Sequence, residues 1–115
     1  MKKVLVCGGR NFTDTFKVFE VLDRIMNEYE DAVFVIQGGA TGADQRAKEW
    51  AELRGMPCAE VKALWKFYDK SAGPRRNEWM LALGPDLVVA FPGNAGTRNM
   101  ISKAEERGYP VHRVT

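Results

Sequence analysis

The sequence predicts one α/β domain in which a parallel sheet is covered by helices on both faces. Apolar, β-branched runs alternate along the 115 residues with segments of helical periodicity, and parallel strands need helical crossovers of this kind. Three glycine-bearing turns each follow an apolar run and precede a helical segment. We therefore predict a Rossmann-like three-layer sandwich, with five parallel strands in the order 3-2-1-4-5 and four helices.

The predicted elements follow from the hydrophobic pattern. Five apolar runs predict strands, at residues 3–7, 33–37, 58–61, 87–91 and 111–114. Four segments with helical spacing predict helices, at residues 18–29, 43–51, from 73 onward and 97–107. Thr13 or Asp14 is available to cap the first helix, and Gly55 with Pro57 ends the second. Residues 62–72 show no clean period and are predicted to form a long loop.

Composition predicts a single domain spanning residues 1–115. The chain is 45% hydrophobic and 28% charged, as in ordinary globular domains. Its net charge of +2 is too small to indicate a nucleic-acid-binding protein by itself. Cys7 and Cys58 lack metal-ligand spacing and are expected to be reduced core thiols. No apolar run reaches transmembrane length, so we expect a cytoplasmic protein without a membrane partner. A single histidine among scattered carboxylates does not make a metal site, and we expect neither a metal nor a cofactor.

The three glycine turns form the candidate binding site. In the predicted order, the first and fourth strands are neighbours where the winding reverses, and ligands bind outside the carboxyl ends of the strands at such a point. Backbone amides at a strand-to-helix glycine turn suit a phosphate or another anion. The turn residues expected to bind ligand are Gly8, Gly9, Arg10, Gly38, Gly39, Thr41, Gly42, Asp44, Pro92, Gly93, Asn94, Gly96 and Thr97.

Basic side chains extend this candidate site. Arg10 follows the first turn and Arg76 begins the third helix, and a guanidinium group can bind phosphate oxygens in a bidentate manner. Asn77 follows Arg76 and is also assigned to ligand binding. Arg75 and Arg98 are equally compatible with a ligand contact and with a solvated surface.

The roles of three further side chains can be interpreted in more than one way. Trp65, in the predicted loop, either stacks on a base or covers the core. Asp44 either complements the dipole of the second helix, or binds a ribose hydroxyl or acts as a base. Glu78 is the nearest other carboxylate. Asp44 and Glu78 are thus the candidate catalytic residues if the chain is an enzyme.

Four ordered motifs carry a resemblance to a known superfamily. They are residues 4–14 (VLVCGGRNFTD), 37–44 (QGGATGAD), 72–77 (AGPRRN, with Trp65 before it and Met80 after it) and 91–97 (FPGNAGT). Together they resemble the SLOG superfamily, and within it the small single-domain group related to YspA and YpsA. The resemblance implies a Rossmann-like sheet and a site for a nucleotide or a nucleotide-derived ligand.

Two relatives within this resemblance indicate different functions. LOG-type phosphoribohydrolases split the N-glycosidic bond of a nucleoside monophosphate and carry a Pro-Gly-Gly-x-Gly-Thr-x-x-Glu motif. Here Pro92 to Thr97 is similar to that turn, but Met100 replaces the glutamate, and a thioether cannot accept a proton. DNA-processing protein A binds single-stranded DNA and has a turn similar to the one that ends at Asp44, yet this chain lacks a strong positive charge.

From these observations we expect a domain that binds a nucleotide-derived small molecule, either ADP-ribose-like or a nucleoside monophosphate, and senses or sequesters it. Hydrolysis of the N-glycosidic bond of a nucleotide is the alternative. Binding of single-stranded DNA is the third and least favoured interpretation. Association into a homo-oligomer stays open.

Overall fold

A computed structural model describes residues 1–115 and confirms the predicted architecture. One parallel sheet has its strands in the order β3-β2-β1-β4-β5. The strands are β1 (Lys2–Cys7), β2 (Val33–Gln37), β3 (Cys58–Glu60), β4 (Leu87–Ala90) and β5 (Val111–Arg113). The helices are α1 (Thr15–Tyr29), α2 (Ala43–Arg54), the single turn α3 (Trp65–Tyr68), α4 (Ala72–Ala82) and α5 (Ala95–Glu106). The four longer helices are those that the sequence predicts.

The central strand β1 contributes to two separate cores. Val4 and Val6 pack with α1 and α2 on one face of the sheet, whereas Leu5 and Cys7 pack with α4 and α5 on the other. Successive side chains of a strand point to opposite faces, so a strand covered on both faces is apolar at every position. This is why its sequence forms a continuous apolar run.

A local signal sets the start of α1, and a longer-range hydrogen bond holds the helix against α2. The carboxylate of Asp14 accepts a hydrogen bond of 3.0 Å from the amide of Lys17, so Asp14 is the N-cap of α1. The indole of Trp50 is fully buried and donates to Asp23 at 2.8 Å. The two helices are therefore joined by a satisfied polar contact as well as by apolar packing.

The structure differs from the predicted loop at residues 62–72. This segment contains α3 and a 3₁₀ turn at Asp69–Ser71, and α4 already begins at Ala72. Tyr68 packs edge-on against Trp79 at 6.1 Å between ring centroids, and Arg75 lies 4.2 Å from the centroid of the Tyr68 ring. The segment is held by these contacts with α4 and has no apolar stripe that packs on the sheet. Its sequence therefore shows no helical period.

The two cysteines differ in their surroundings. Cys7 is a buried free thiol, as expected, and burial raises its pKa to about 12. Cys58 is exposed on the edge strand β3, so the expectation that it lies in the core is wrong. The apolar run 58–61 belongs to a three-residue edge strand, which has a neighbour on one side only. None of the helices combines the length and the apolar character that crossing a membrane requires.

Candidate functional site

The three glycine turns close on one another at the carboxyl ends of β1, β2 and β4. The amide of Gly9 donates to the carbonyl of Pro92 at 2.8 Å, which joins the first turn to the third. The carbonyl of Gly9 accepts from the amide of Ala43 at 3.3 Å, and the Thr41 hydroxyl donates to the carbonyl of Arg10 at 3.1 Å. The first turn thus lies between the other two and is bonded to both.

Glycine is required where these backbones meet. A Cβ atom on Gly42 would overlap the carbonyl oxygen of Gly9 and lie 2.7 Å from the Cα of Arg10. A Cβ atom on Gly93 would lie 2.6 Å from the amide nitrogen of Gly9. Both clashes are with backbone, which a side-chain rotation cannot relieve. Gly96 is different, because a Cβ atom there would meet no protein atom within 4 Å.

Asp44 holds the second turn in shape. Its Oδ2 atom accepts hydrogen bonds from the amides of Gly38 (3.1 Å) and Ala40 (3.2 Å). The residue is only 5% exposed. Burial raises the pKa of Asp44 to about 6, although the two amide bonds and the charge of Arg76 act in the opposite direction. Oδ1 makes no hydrogen bond inside the protein.

Arg76 and Asn77 connect α4 to two of the turns. Arg76 donates through Nη1 to the carbonyl of Gly38 at 2.8 Å and through Nε to Asn77 at 3.2 Å. Asn77 is buried and donates to the carbonyl of Gly96 at 3.2 Å and to Asn99 at 2.9 Å. Within the protein, Nη2 of Arg76 has no hydrogen-bond partner. This guanidinium is held in place and keeps donor capacity.

Unpaired arginines surround this edge of the sheet. Four of the nine arginines form ion pairs with carboxylates. The other five form none. These unpaired residues are Arg10, Arg46, Arg75, Arg76 and Arg98. Each of them follows the carboxyl end of a strand or lies near the start of a helix that leads away from this edge.

Arg46 is a candidate residue that the sequence interpretation missed. It is the fourth residue of α2, just as Arg75 is the fourth of α4 and Arg98 the fourth of α5. Its Nη1 atom donates to the carbonyl of Thr41 at 3.3 Å, and its buried Nε atom has no partner. The equal spacing between each helix start and an arginine identifies it, but only once the structure has fixed where the helices begin.

These arginines oppose the local helix dipoles. None of α2, α4 and α5 has a side-chain cap at its N-terminus. A cation near a helix N-terminus is unfavourable by about 0.3–1 kcal/mol. The one acidic residue in these first turns is Asp44, whose carboxylate binds the amides of the second turn. The edge therefore concentrates arginines that form no ion pair, although the charge of Arg76 acts on the nearby carboxylate of Asp44.

Two predicted residues make no hydrogen bond to the joined turns. Glu78 accepts hydrogen bonds from Lys103 (2.9 Å) and Arg107 (2.6 Å), which hold its pKa below the usual range. It thus bridges α4 and α5. Trp65 is 58% exposed on α3, and no hydrogen bond connects it to the turns. Met100, which stands where the phosphoribohydrolase motif has a glutamate, belongs to α5 and is fully buried in the core between α5 and the sheet.

The family of the chain follows from comparison with known proteins. The YAcAr family model, described as the YspA, cpYpsA-related SLOG family, matches residues 2–68. This chain belongs to that SLOG family. The matched segment contains the first two glycine turns and Asp44. The third turn and Arg76 lie beyond it.

Relatives and solved structures extend the comparison over the whole chain. Gene 61 protein of Mycobacterium phage D29 is 33% identical over 118 residues, covering 96% of this chain and 94% of that protein. The crystal structure of TM1055 matches 96% of this chain and 72% of its own, with a TM-score of 0.73 and 22% identity. DNA processing protein A of Streptococcus pneumoniae matches all of this chain and 50% of its own, with a TM-score of 0.76 and 19% identity. The two structural likenesses show a shared fold.

Two glycine substitutions should have opposite effects on stability. Gly42→Ala places a methyl group against the backbone of Gly9 and Arg10, and we expect the free energy of unfolding to fall by about 1–3 kcal/mol. Gly96→Ala replaces a helical glycine whose Cβ direction is open, and should raise that free energy by up to about 1 kcal/mol. Urea denaturation measures both. Equal changes in the two variants would mean that the turns do not touch as described.

Asp44 should make stability depend on pH. Its pKa of about 6 exceeds the unfolded value, so the native state binds this proton more tightly than the unfolded chain. The resulting stabilisation is complete below about pH 4 and is lost as the pH rises through about 6.

Asp44→Asn removes this titration and keeps an oxygen that can accept the two amide bonds. The free energy of unfolding of the variant, relative to the native protein, should therefore increase between about pH 4 and pH 7. Urea titrations at several pH values in this range measure the difference. If that difference stays constant, Asp44 does not carry a raised pKa in the folded protein.

Proposed function

We propose that the carboxyl edge of the sheet binds a nucleotide or a nucleotide-derived ligand, and that the protein senses or sequesters this ligand. The observation that carries the proposal is the group of five arginines without carboxylate partners around three joined glycine turns. An anion bound there would offset both the guanidinium charges and the helix dipoles.

The phosphate would lie at the start of α5, beside the joined first and third turns. The amides at the start of α5 have no side-chain cap, and the direction away from the Gly96 Cα is open. Helix N-terminal amides bind phosphate oxygens. Arg76, held at Gly38 with Nη2 unpaired, and Arg10, exposed after the first turn, would supply charged donors.

The nucleoside part of the ligand would meet Asp44 and Trp65. With a pKa of about 6, Asp44 is largely ionised at pH 7, and its Oδ1 atom is available to accept a ribose hydroxyl. The exposed indole of Trp65 offers a flat surface on which a base can stack. An ADP-ribose-like molecule, with two phosphates, suits five unpaired guanidinium groups better than a single phosphate does.

Hydrolysis of the N-glycosidic bond is the second candidate, and one observation favours it. Asp44 is a buried carboxylate whose pKa is raised toward neutrality, as in many general acids and bases. Two observations weigh against it. Glu78 is occupied by Lys103 and Arg107, and Met100 cannot transfer a proton. A hydrolase would have to rely on Asp44 alone.

Single-stranded DNA remains the third candidate. The name of DNA processing protein A connects one protein of this fold with DNA. Phosphodiester oxygens would also meet the unpaired arginines, and exposed aromatic residues such as Trp65 could stack on bases. A small nucleotide is favoured because the joined turns and the uncapped α5 form one local site, whereas a strand needs a continuous basic path.

The arginines should distinguish phosphate from nucleoside. Arg10→Ala and Arg76→Ala should each weaken binding of AMP or ADP-ribose by about 1.5–3 kcal/mol, because each removes a charge-assisted contact. Binding of adenosine should change less. Isothermal titration calorimetry with the three compounds measures the effect.

A control variant and a second test variant accompany this experiment. Arg113→Ala removes an arginine that is already paired with Glu105, and should leave the affinities unchanged. Gly96→Val should abolish binding while the protein stays folded, because the added side chain fills only open space in front of α5. Equal losses for adenosine and AMP in the arginine variants would remove these residues from the phosphate site. Tighter binding of an oligodeoxynucleotide than of either nucleotide would favour the DNA interpretation.

Turnover should separate a binding protein from a hydrolase. We expect no free base when native protein is incubated with AMP or ADP-ribose, and we expect Asp44→Asn to weaken binding, because the amide is a poorer acceptor for ribose hydroxyls. Liquid chromatography with mass spectrometry detects any released base. If native protein does release base, and Asp44→Asn lowers the rate at least about a hundredfold with little loss of affinity, the protein is a hydrolase. Glu78→Gln is the matched control, since its carboxylate is held in the α4–α5 ion pairs.

A further inference from the structure

The exposed face of α1 carries a groove that the proposed nucleotide site does not use. Its volume is about 970 Å³, and its lining runs from Thr15 to Glu28 with Arg54 of α2 on one side. This length of helix spans about 20 Å. Phe16 lies in the groove and is 79% exposed, and the partly buried Phe19 also lines the groove, so that two aromatic side chains share this face.

Charges along this face alternate in a self-complementary order, and within α1 Glu20 already pairs with Lys17 (3.9 Å) and Arg24 (2.9 Å). Lys17, Glu20, Arg24 and Glu28 lie within about 80° of one another around the helix axis. Along the helix, the midpoint between Lys17 and Glu28 and the midpoint between Glu20 and Arg24 both lie within half a residue of Leu22. Reversing the helix direction therefore exchanges each positive charge with a negative one.

We propose that this face binds the same face of a second copy of this chain, with the two α1 helices antiparallel about a two-fold axis near Leu22. Lys17 would then lie opposite Glu28 of the second copy, and Glu20 opposite Arg24. A two-fold interface must be complementary to itself, and antiparallel α1 satisfies that condition. Phe16 of each copy would pack on the last turn of the other α1.

Asp23 lies closest to the axis and does not oppose this arrangement. Its carboxylate accepts two hydrogen bonds of 2.9 Å from Arg54 and one of 2.8 Å from the indole of Trp50. Each Asp23 would thus meet its counterpart already neutralised by its own chain. The proposal does not depend on the nucleotide-binding function, since none of these residues belongs to the glycine turns.

Complementary charge variants test the interface directly. Lys17→Glu with Arg24→Glu makes the face wholly acidic, and Glu20→Lys with Glu28→Lys makes it wholly basic. Each double variant alone should dimerise at least about tenfold more weakly than native protein, because every cross-axis pair becomes repulsive. An equimolar mixture should form heterodimers with a dissociation constant within about threefold of the native value. Sedimentation velocity over a concentration series measures all four samples.

Controls separate the interface from general charge effects and from misfolding. Arg113→Glu with Glu105→Arg exchanges an exposed ion pair elsewhere on the surface and should leave association unchanged. Circular dichroism should show native helicity in every variant, since all the substituted residues lie on the solvent side. Phe16→Ser should also weaken the dimer at least about tenfold.

Three results would overturn the proposal. Native protein that stays monomeric at every concentration would show that a second copy does not cover this face. Double variants that dimerise as strongly as native protein would place the interface elsewhere. A mixture that stays monomeric while native protein dimerises would contradict the antiparallel pairing.

Discussion

The contact between backbones around Gly9 is the constraint on which the rest of the site depends. β1 lies between β2 and β4, so its turn has a neighbour on each side. The amide of Gly9 binds the third turn and its carbonyl binds the start of α2. At Gly42 and Gly93 the neighbouring backbone leaves no room for a Cβ atom, so only glycine permits this close approach. The approach brings the starts of α2 and α5 to the same crevice.

The fold could be predicted because its signals are local. Continuous apolar strands, helical stripes and glycine turns each appear within a short window of sequence, and the handedness of βαβ crossovers then leaves few topologies. Asp14 acts as the N-cap for the same reason, since the amide that it binds is three residues away. Cys58 was misplaced because a short apolar run does not reveal whether its strand is central or at an edge.

The site was less predictable because its contacts join distant segments. Arg76 reaches Gly38 across 38 residues, and Asn77 reaches Gly96 across 19. Glu78 is a candidate base because it is close to Arg76 and Asn77 in sequence. Each residue of a helix is rotated by about 100° from the one before it, so the Glu78 side chain points away from Asn77 and toward Lys103 and Arg107. Arg46 was overlooked because nothing in α2 alone distinguishes it. Only the shared edge reveals that three helices start with the same spacing to an arginine.

Placement of charge at this edge runs against what stability alone would select. Arginines near uncapped helix starts oppose the dipoles, and the buried Asp44 carries a pKa that burial has raised. Other arginines of the chain, such as Arg54 and Arg107, are paired with carboxylates on the surface. The arginines away from the glycine turns are thus paired with carboxylates, whereas those around the turns are not. Local conflicts of this kind concentrate where a ligand completes the structure, and the proposed ligand, an anion with hydroxyl groups beside it, would remove this conflict.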